Sequence, residues 1–223
     1  MLEELIKNNV ESLKANISSA TQSEPMIVAV SKKKSKDHIL AALNQGINNF
    51  GENYAAELAE KAQSINGNAV WHFIGPIQSN KTKTIASFAT WVHSVERIKI
   101  AERLNKHCFD LNKSINVLIQ VNIDDEISKS GVQIGDVHPL ARFIEEHCSN
   151  LRLRGLMFMP SLTKSENEKN ESMEKIKCAI EAISSDFNNF DTFSFGTSHD
   201  YPIALKYGSN LIRVGENIFG KRE

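Results

Sequence analysis

Lys32, Lys33, Lys34 and Lys36 follow closely on the apolar run Met26-Ile27-Val28-Ala29-Val30 and Ser31. Such a run reads as a strand buried on both faces, so the lysines stand where that strand ends. Desolvation and cationic neighbours lower the pKa of a lysine in that position, and the free amine attacks carbonyls. Side-chain alternation along the strand puts Lys32 and Lys34 on one side and Lys33 on the other. A solvated, lysine-rich turn explains the same residues. The rest of the chain has to decide between the two.

Two further stretches carry anion chemistry. Phe195-Gly196-Thr197-Ser198-His199-Asp200 and Arg213-Val214-Gly215-Glu216-Asn217 are glycine-containing segments, each ahead of a helical pattern. Backbone N–H groups exposed at such places meet phosphate or carboxylate. Ordinary capping by Ser198 and Asn217 is the alternative. A reactive amine together with an anion site fits one ligand bearing both an aldehyde and a phosphate. Pyridoxal 5′-phosphate has both. Arg213 is then expected beside the pyridine nitrogen, which it would keep unprotonated because a guanidinium does not give up its proton. Pairing with a carboxylate accounts for a buried arginine equally.

The other strand-end positions are rich in hydrogen-bonding groups: Gly51, Glu52, Asn53 and Tyr54; His72, Gly75, Gln78, Ser79, Asn80 and Lys81; His93; Asn122; Met157 and Met159. His72 and His93, on apolar strands, read first as satisfied core histidines. No His, Cys or carboxylate set has metal-ligand spacing, so no metal is expected. Ser31 lacks a G-x-S-x-G context, which removes a hydrolase.

The elements that must hold these residues alternate. Leu2, Leu5, Ile6, Val10, Leu13 and Ile17 predict a helix over 2–20. Strands are predicted over 26–30, 47–51, 70–75, 90–95, 115–123, 153–159, 192–195 and 211–214. Helices are predicted over 35–45, 53–63, 79–88, 96–107, 136–147, 171–187, 199–207 and 216–219. Ser35 is expected to cap the first of these, and Asn66-Gly67 marks a turn. Asp124–Ser130 and Ser161–Asn170 read as polar loops. Strands that alternate with helices imply a parallel sheet. Eight such units in 223 residues predict an α/β fold, a single closed (β/α)₈ TIM barrel over 1–223. An open doubly wound sheet would want a glycine-rich turn after the first strand, where this chain has lysines.

Composition narrows the function classes. A formal net charge of -1 supplies no general field for nucleic acid or an anionic membrane. Cys108, Cys148 and Cys178 lie far apart, without a C-x-x-C pair, and read as reduced thiols in a cytoplasmic protein. The acidic amino terminus is no signal peptide, and no apolar run reaches membrane-spanning length. No large apolar stripe is left over, so a monomer is expected.

Val28-Ala29-Val30-Ser31-Lys32, Phe50-Gly51-Glu52-Asn53-Tyr54 and Trp71-His72-Phe73-Ile74-Gly75-Pro76-Ile77-Gln78-Ser79-Asn80-Lys81 form one set of motifs. Gln120-Val121-Asn122-Ile123 with Ser128-Lys129-Ser130-Gly131, Arg154-Gly155-Leu156-Met157, Gly208-Ser209, Ile212-Arg213-Val214-Gly215 and Ile218-Phe219-Gly220 complete it. Together these motifs resemble the YggS/PROSC family of pyridoxal phosphate homeostasis proteins. The resemblance implies a barrel like the N-terminal domain of alanine racemase (the type III fold of pyridoxal phosphate proteins). It implies a Schiff base on Lys32, phosphate on Ser198 and the Gly215-Glu216 backbone, and Asn53, His72 and Arg213 among the cofactor-binding residues. It implies a carrier that buffers the cofactor or delivers it to apo-enzymes, with no settled catalysis.

Departures from the family pattern are Lys33 for Thr, Ser35 for Pro, Thr197 and Tyr201 for Met, and Glu216 for Thr or Ser. A carboxylate at 216 suits a phosphate only if its backbone N–H faces the ligand. The alternative function is a pyridoxal phosphate-dependent amino-acid racemase. That reaction needs an acid/base on each face of the α-carbon, and Tyr54, Tyr201 and Tyr207 are the available tyrosines. A phosphate-sugar isomerase would rely on Glu52 and leave Lys32 unexplained.

Overall fold

The structure is a computed structural model and describes residues 1–65, 67–124, 130–161 and 165–221. Helix α1 (Leu2–Ala20) precedes the alternation β1 (Met26–Val30), α2 (Lys36–Asn44), β2 (Asn49–Glu52), α3 (Ala55–Ser64), β3 (Val70–Phe73), α4 (Thr82–Phe88), β4 (Trp91–Val95) and α5 (Ile98–Asp110). It continues with β5 (Ile115–Val121), α6 (Ile134–His147), β6 (Leu151–Phe158), α7 (Glu166–Ile183), β7 (Thr192–Thr197), α8 (Tyr201–Lys206), β8 (Leu211–Val214) and α9 (Glu216–Phe219). All eight strands are parallel and close in chain order, β8 pairing with β1 through Val28↔Arg213 and Ala29↔Val214. The barrel expected from the alternating pattern is the fold observed.

Strand alternation sorts the side chains. Ala29, Phe50, Trp71, Val92, Ile119, Leu156, Phe195 and Ile212 belong to the apolar cluster shared with the helices. Each of the larger side chains among them, once buried, contributes roughly 1.5–3 kcal/mol. The strand interior differs. Trp91, Leu118 and Met157 plug its lower part, with Met26 and Val70 against them. Above the plug lies a buried polar layer of His72, His93, Gln120, Ser194 and Arg213. Barrel interiors are dominated by branched apolar side chains, so this layer marks where structure gives way to the site. Gly155 closes β6 on β7 at φ 145°, where a Cβ would stand 2.0 Å from the Thr192 carbonyl oxygen. Only glycine meets both conditions.

Element ends moved where local chemistry competed with periodicity. Ser35 precedes α2 but its side chain makes no cap bond; its Oγ lies 2.8 Å from His38 Nδ1. The helix expected over 79–88 opens as a 3₁₀ turn, Ser79–Lys81, before α4. β7 runs on to Thr197. The stretch expected as a loop over 161–170 supplies the start of α7, held by a capping box between Ser165 and Glu168. Apolar periodicity begins only at Met173, so the polar first turns gave no such signal. The helix ends at Ile183 and passes into a 3₁₀ turn at Ser184–Asp186, short of the expected Phe187. Asn66, most of the Asp124–Ser130 loop (Ser128 and Lys129 included) and residues 162–164 lie outside the described residues.

Candidate functional site

A cavity of about 570 Å³ opens at the carboxyl ends of the strands. This is the end where barrels carry their sites, and the size suits a small-molecule cofactor. Val30 at the end of β1 and Lys32 after it, Asn53 after β2, Ile74 and Gly75 after β3, and Gln120 of β5 line it. So do Thr197, Ser198 and His199 around the end of β7, and Arg213, Gly215 and Glu216 around that of β8. A second depression, about 690 Å³, lies by Leu151 and Arg152, where β6 begins, and Cys148, where α6 ends. It shares no residue with the first and sits away from the strand-end loops.

The lysine cluster is a turn, and the turn separates its members. Ser31 N–H donates to the Gly51 carbonyl at 3.0 Å, and Lys34 N–H then donates back to the Ser31 carbonyl at 2.9 Å. Lys33 sits at φ 60°, and its N–H donates to Glu57 Oε2 at 2.8 Å. Alternation therefore stops at Val30. Lys32 lines the cavity, Lys33 is exposed away from it, and Lys34 Nζ reaches the Phe219 carbonyl of α9 at 3.4 Å. Lys34 does not share the side of Lys32, contrary to the strand expectation, because a reversing turn does not preserve the period of two.

A buried ionic network anchors that turn. Ser31 Oγ donates to Glu52 Oε1 at 2.6 Å. Lys61 Nζ donates to Glu52 Oε1 at 2.7 Å, to the Ser31 carbonyl at 2.8 Å and to Glu57 Oε2 at 3.0 Å. Burial pushes the Glu52 carboxyl up, opposed by its bonds to Lys61 and Ser31. Burial also acts upward on Glu57, but the Lys33 N–H and Lys61 outweigh it and hold that carboxyl below its ordinary value. Glu52, fully buried and absent from the cavity wall, is thus a support for Lys32 and not a base for an isomerase. Sequence alone offered no signal for Lys61, which lies on an ordinary amphipathic helix.

Arg213 reaches the cavity from β8 with several of its donors already taken. Nη1 donates to the Ser194 carbonyl at 2.7 Å and Nη2 to the Phe158 carbonyl at 2.9 Å. Burial lowers its pKa to about 10, with Asp200 opposing, so it stays charged at neutral pH. Among the described residues its direct partners are thus carbonyl and hydroxyl groups, and none of them makes the carboxylate pairing considered from sequence. His72, expected at the cofactor, stands behind the cavity wall. It is fully buried, with its ring nitrogens 2.9 Å from His93 Nε2 and 3.0 Å from Asn49 Oδ1. It sits near the middle of its strand, one layer below the strand-end loops.

The two glycine-containing loops meet. Ser198 Oγ accepts from Gly215 N–H at 3.1 Å and does not cap a helix. The cap position of α8 is Asp200, whose Oδ1 accepts from Thr197 N–H at 2.6 Å and Thr197 Oγ–H at 2.7 Å. Asn217 lies inside the first turn of α9. Glu216 turns its carboxylate toward His199, Oε2 lying 3.8 Å from Nε2, with a side chain about one-third exposed. The wall also keeps unspent hydrogen-bonding capacity: Asn53 Oδ1 is buried without a partner among the described residues. Gly75 packs against the Asn53 backbone so closely that a Cβ would stand 2.1 Å from its carbonyl oxygen. An amine, an orphaned amide, an arginine donor face and a serine beside backbone N–H groups fit an aldehyde-bearing aromatic phosphate. Tyr54 is exposed and Tyr201 is buried, and none of the three tyrosines lines the cavity.

The family model described as the N-terminal domain of alanine racemase matches residues 4–223. The pyridoxal phosphate homeostasis protein of Haemophilus influenzae is 39% identical over 97% of this chain and 96% of its own. That of Escherichia coli K12 is 36% identical over 98% and 97%. The structure of Synechococcus elongatus PipY with PLP bound has a TM-score of 0.85 at 26% identity, covering 96% of this chain and 100% of that one. Alanine racemase from Corynebacterium glutamicum shares the fold, with a TM-score of 0.78 at 14% identity over 99% of this chain and 62% of the enzyme. No described helix is long and apolar enough to cross a membrane. The chain belongs to the alanine racemase N-terminal domain family and, within it, to the pyridoxal phosphate homeostasis proteins.

Proposed function

We propose that this chain binds pyridoxal 5′-phosphate as a Schiff base on Lys32 and buffers it or delivers it to apo-enzymes. The observation that carries the reading is that Lys32 is the one member of its cluster on the wall of the cavity that also holds Arg213 and Ser198. Lys32 Nζ would supply the amine for the cofactor aldehyde. Ser198, whose O–H makes no donated bond among the described residues, and the Gly215-Glu216 backbone take the phosphate, the Gly215 N–H turning to it from Ser198 Oγ, while the Glu216 carboxylate stays with His199. Arg213 would hold the ring nitrogen, and Asn53 would offer its orphaned amide oxygen. His72 acts only from behind. The cofactor itself supplies an aldehyde and an electron sink, and a donor-only arginine leaves that sink weak. With no tyrosine on the wall to serve the second face of an α-carbon, a carrier fits better than a racemase. The exposed apolar side chains among the described residues, Leu5, Leu40, Ile98, Phe109, Leu111, Ile134 and Met159 included, are spread over α1, α2, α5, α6 and the loops, which favours a monomer. A cytoplasmic carrier agrees with three free cysteines.

The test is an absorbance titration with pyridoxal 5′-phosphate, borohydride reduction and peptide mapping. The label belongs on Lys32, and Lys32→Ala should form no reducible adduct while unfolding at the wild-type temperature. A reducible adduct retained in that variant sinks the assignment. Delivery is tested by mixing loaded protein with an apo-aminotransferase in the presence of a trap for free aldehyde. Reactivation that the trap abolishes would reduce the protein to a buffer. Exchange of the α-proton of an amino acid would favour the racemase.

A further inference from the structure

An unbroken hydrogen-bond chain leaves Arg213 and runs down through the barrel. Arg213 Nη1 donates to Ser194 Oγ at 2.5 Å. Ser194 Oγ lies 3.1 Å from His93 Nδ1, His93 Nε2 lies 2.9 Å from His72 Nδ1, and His72 Nε2 lies 3.0 Å from Asn49 Oδ1. Ser194, His93 and His72 are fully buried, and none of them touches the cavity. Trp91 closes the layer from below, stacked on His72 at 5.7 Å and 4° and edge-on to His93 at 6.4 Å.

The chain has only one direction. A guanidinium donates and never accepts, so Ser194 Oγ accepts from it; a hydroxyl can accept twice, and the other end of the chain fixes the direction. The Asn49 amide oxygen accepts and never donates, so His72 carries its hydrogen on Nε2 and donates to it. A neutral imidazole has one N–H, so His72 Nδ1 accepts from His93 Nε2–H, and by the same step His93 Nδ1 accepts the Ser194 hydroxyl hydrogen. The reverse direction would require the Asn49 amide oxygen to donate. Burial keeps both rings neutral, lowering His72 to about 3 and His93 well below its ordinary value, the latter helped by His72 and Arg213.

We propose that Ser194, His93, His72 and Asn49 are positioning residues, a one-way hydrogen-bond chain that fixes the guanidinium of Arg213 and keeps its remaining donors for the cavity. Three guanidinium N–H groups are spent on Ser194 and Phe158. Those left demand an acceptor from any ligand atom that meets them. Only the naming of that atom as a pyridine nitrogen rests on the proposed function; the chain itself belongs to the protein without ligand.

The first arm of the test is ¹⁵N NMR of histidine-labelled protein without cofactor at neutral pH. Both His72 and His93 should be neutral Nε2–H tautomers. An Nδ1–H tautomer or an imidazolium in either ring overturns the chain. The second arm titrates pyridoxal 5′-phosphate and phosphate-free pyridoxal, followed by absorbance. His93→Leu should weaken both by about tenfold, the worth of a lost hydrogen bond. His93→Gln, whose amide accepts at oxygen and donates at nitrogen, should stay within about twofold of wild type. Equal loss in both variants, or loss in neither, overturns the positioning role. If His93→Leu does not fold, Ser194→Ala carries the same expectation, and unchanged affinity overturns the role. Wild-type protein that forms no adduct removes the cofactor reading, and the NMR arm still decides the chain.

Discussion

Mild acid should unfold this protein through its buried histidines, and His72 lets the size be worked out. Burial holds the folded ring down to about 3, against an ordinary value of 6.5. The unfolded chain therefore binds a proton below pH 6.5 that the folded protein refuses until about pH 3. Unfolding takes up that proton, so the stability contributed by His72 is complete above the unfolded pKa and is lost as pH falls through the window. Linkage puts the loss at about 2 kcal/mol between about pH 7 and about pH 5, and about 4 kcal/mol by about pH 3. The perturbation is His72→Gln, which keeps an acceptor and a donor in the layer but does not titrate. The assay is urea unfolding across about pH 5 to 8 for both proteins. Their stability curves should converge by about 2 kcal/mol on the acid side, the variant losing less. His38, also lowered by burial, acts alike in both proteins and drops out of the difference. His93 loses the contribution of His72 in the variant but keeps its burial, the main cause of its lowering, so the expected convergence stands. Parallel curves would mean that His72 is charged or solvated in the folded state, and the reasoning about the polar layer would fail with it.

Other outcomes follow from the same packing. Lys61→Met leaves Glu52 buried without its cation and should cost about 3–5 kcal/mol, most of it recovered in Glu52→Gln/Lys61→Met. Additive losses in a denaturant double-mutant cycle would show that the network is not coupled. Gly155→Ala puts a methyl group 2.0 Å from the Thr192 carbonyl oxygen at φ 145° and should cost at least about 3 kcal/mol or prevent folding. Wild-type melting would deny the closure of β6 on β7. Ser198→Ala should weaken pyridoxal 5′-phosphate binding about tenfold while leaving pyridoxal unchanged, as calorimetry can compare. An equal effect on both ligands would move the phosphate elsewhere.

Much of this was legible without coordinates. The alternation of apolar strands with amphipathic helices determined the barrel, because period and connection length are local properties that parallel βαβ packing turns into topology. Reading only strand ends also reached Lys32, Asn53, Ser198, Arg213, Gly215 and Glu216, all on the wall of one cavity. The start of α7 escaped, because its signal is a capping box and not an apolar period. So did the split of Ser79–Phe88 into a 3₁₀ turn and α4.

What tertiary structure alone decided concerns residues far apart in the chain. Lys34 left the side of Lys32 because a turn anchored by Glu57 and Lys61 overrides strand alternation. Ser198 stopped being a cap because the β8 loop brought the Gly215 N–H to it. His72 and His93 turned from isolated core histidines into a chain ending at Arg213, since β3, β4, β7 and β8 point those residues into one barrel layer. Side-chain type and spacing along the chain determine which elements form. Which donor meets which acceptor in a buried layer depends on the register and closure of the whole sheet, and no local stretch of sequence carries that.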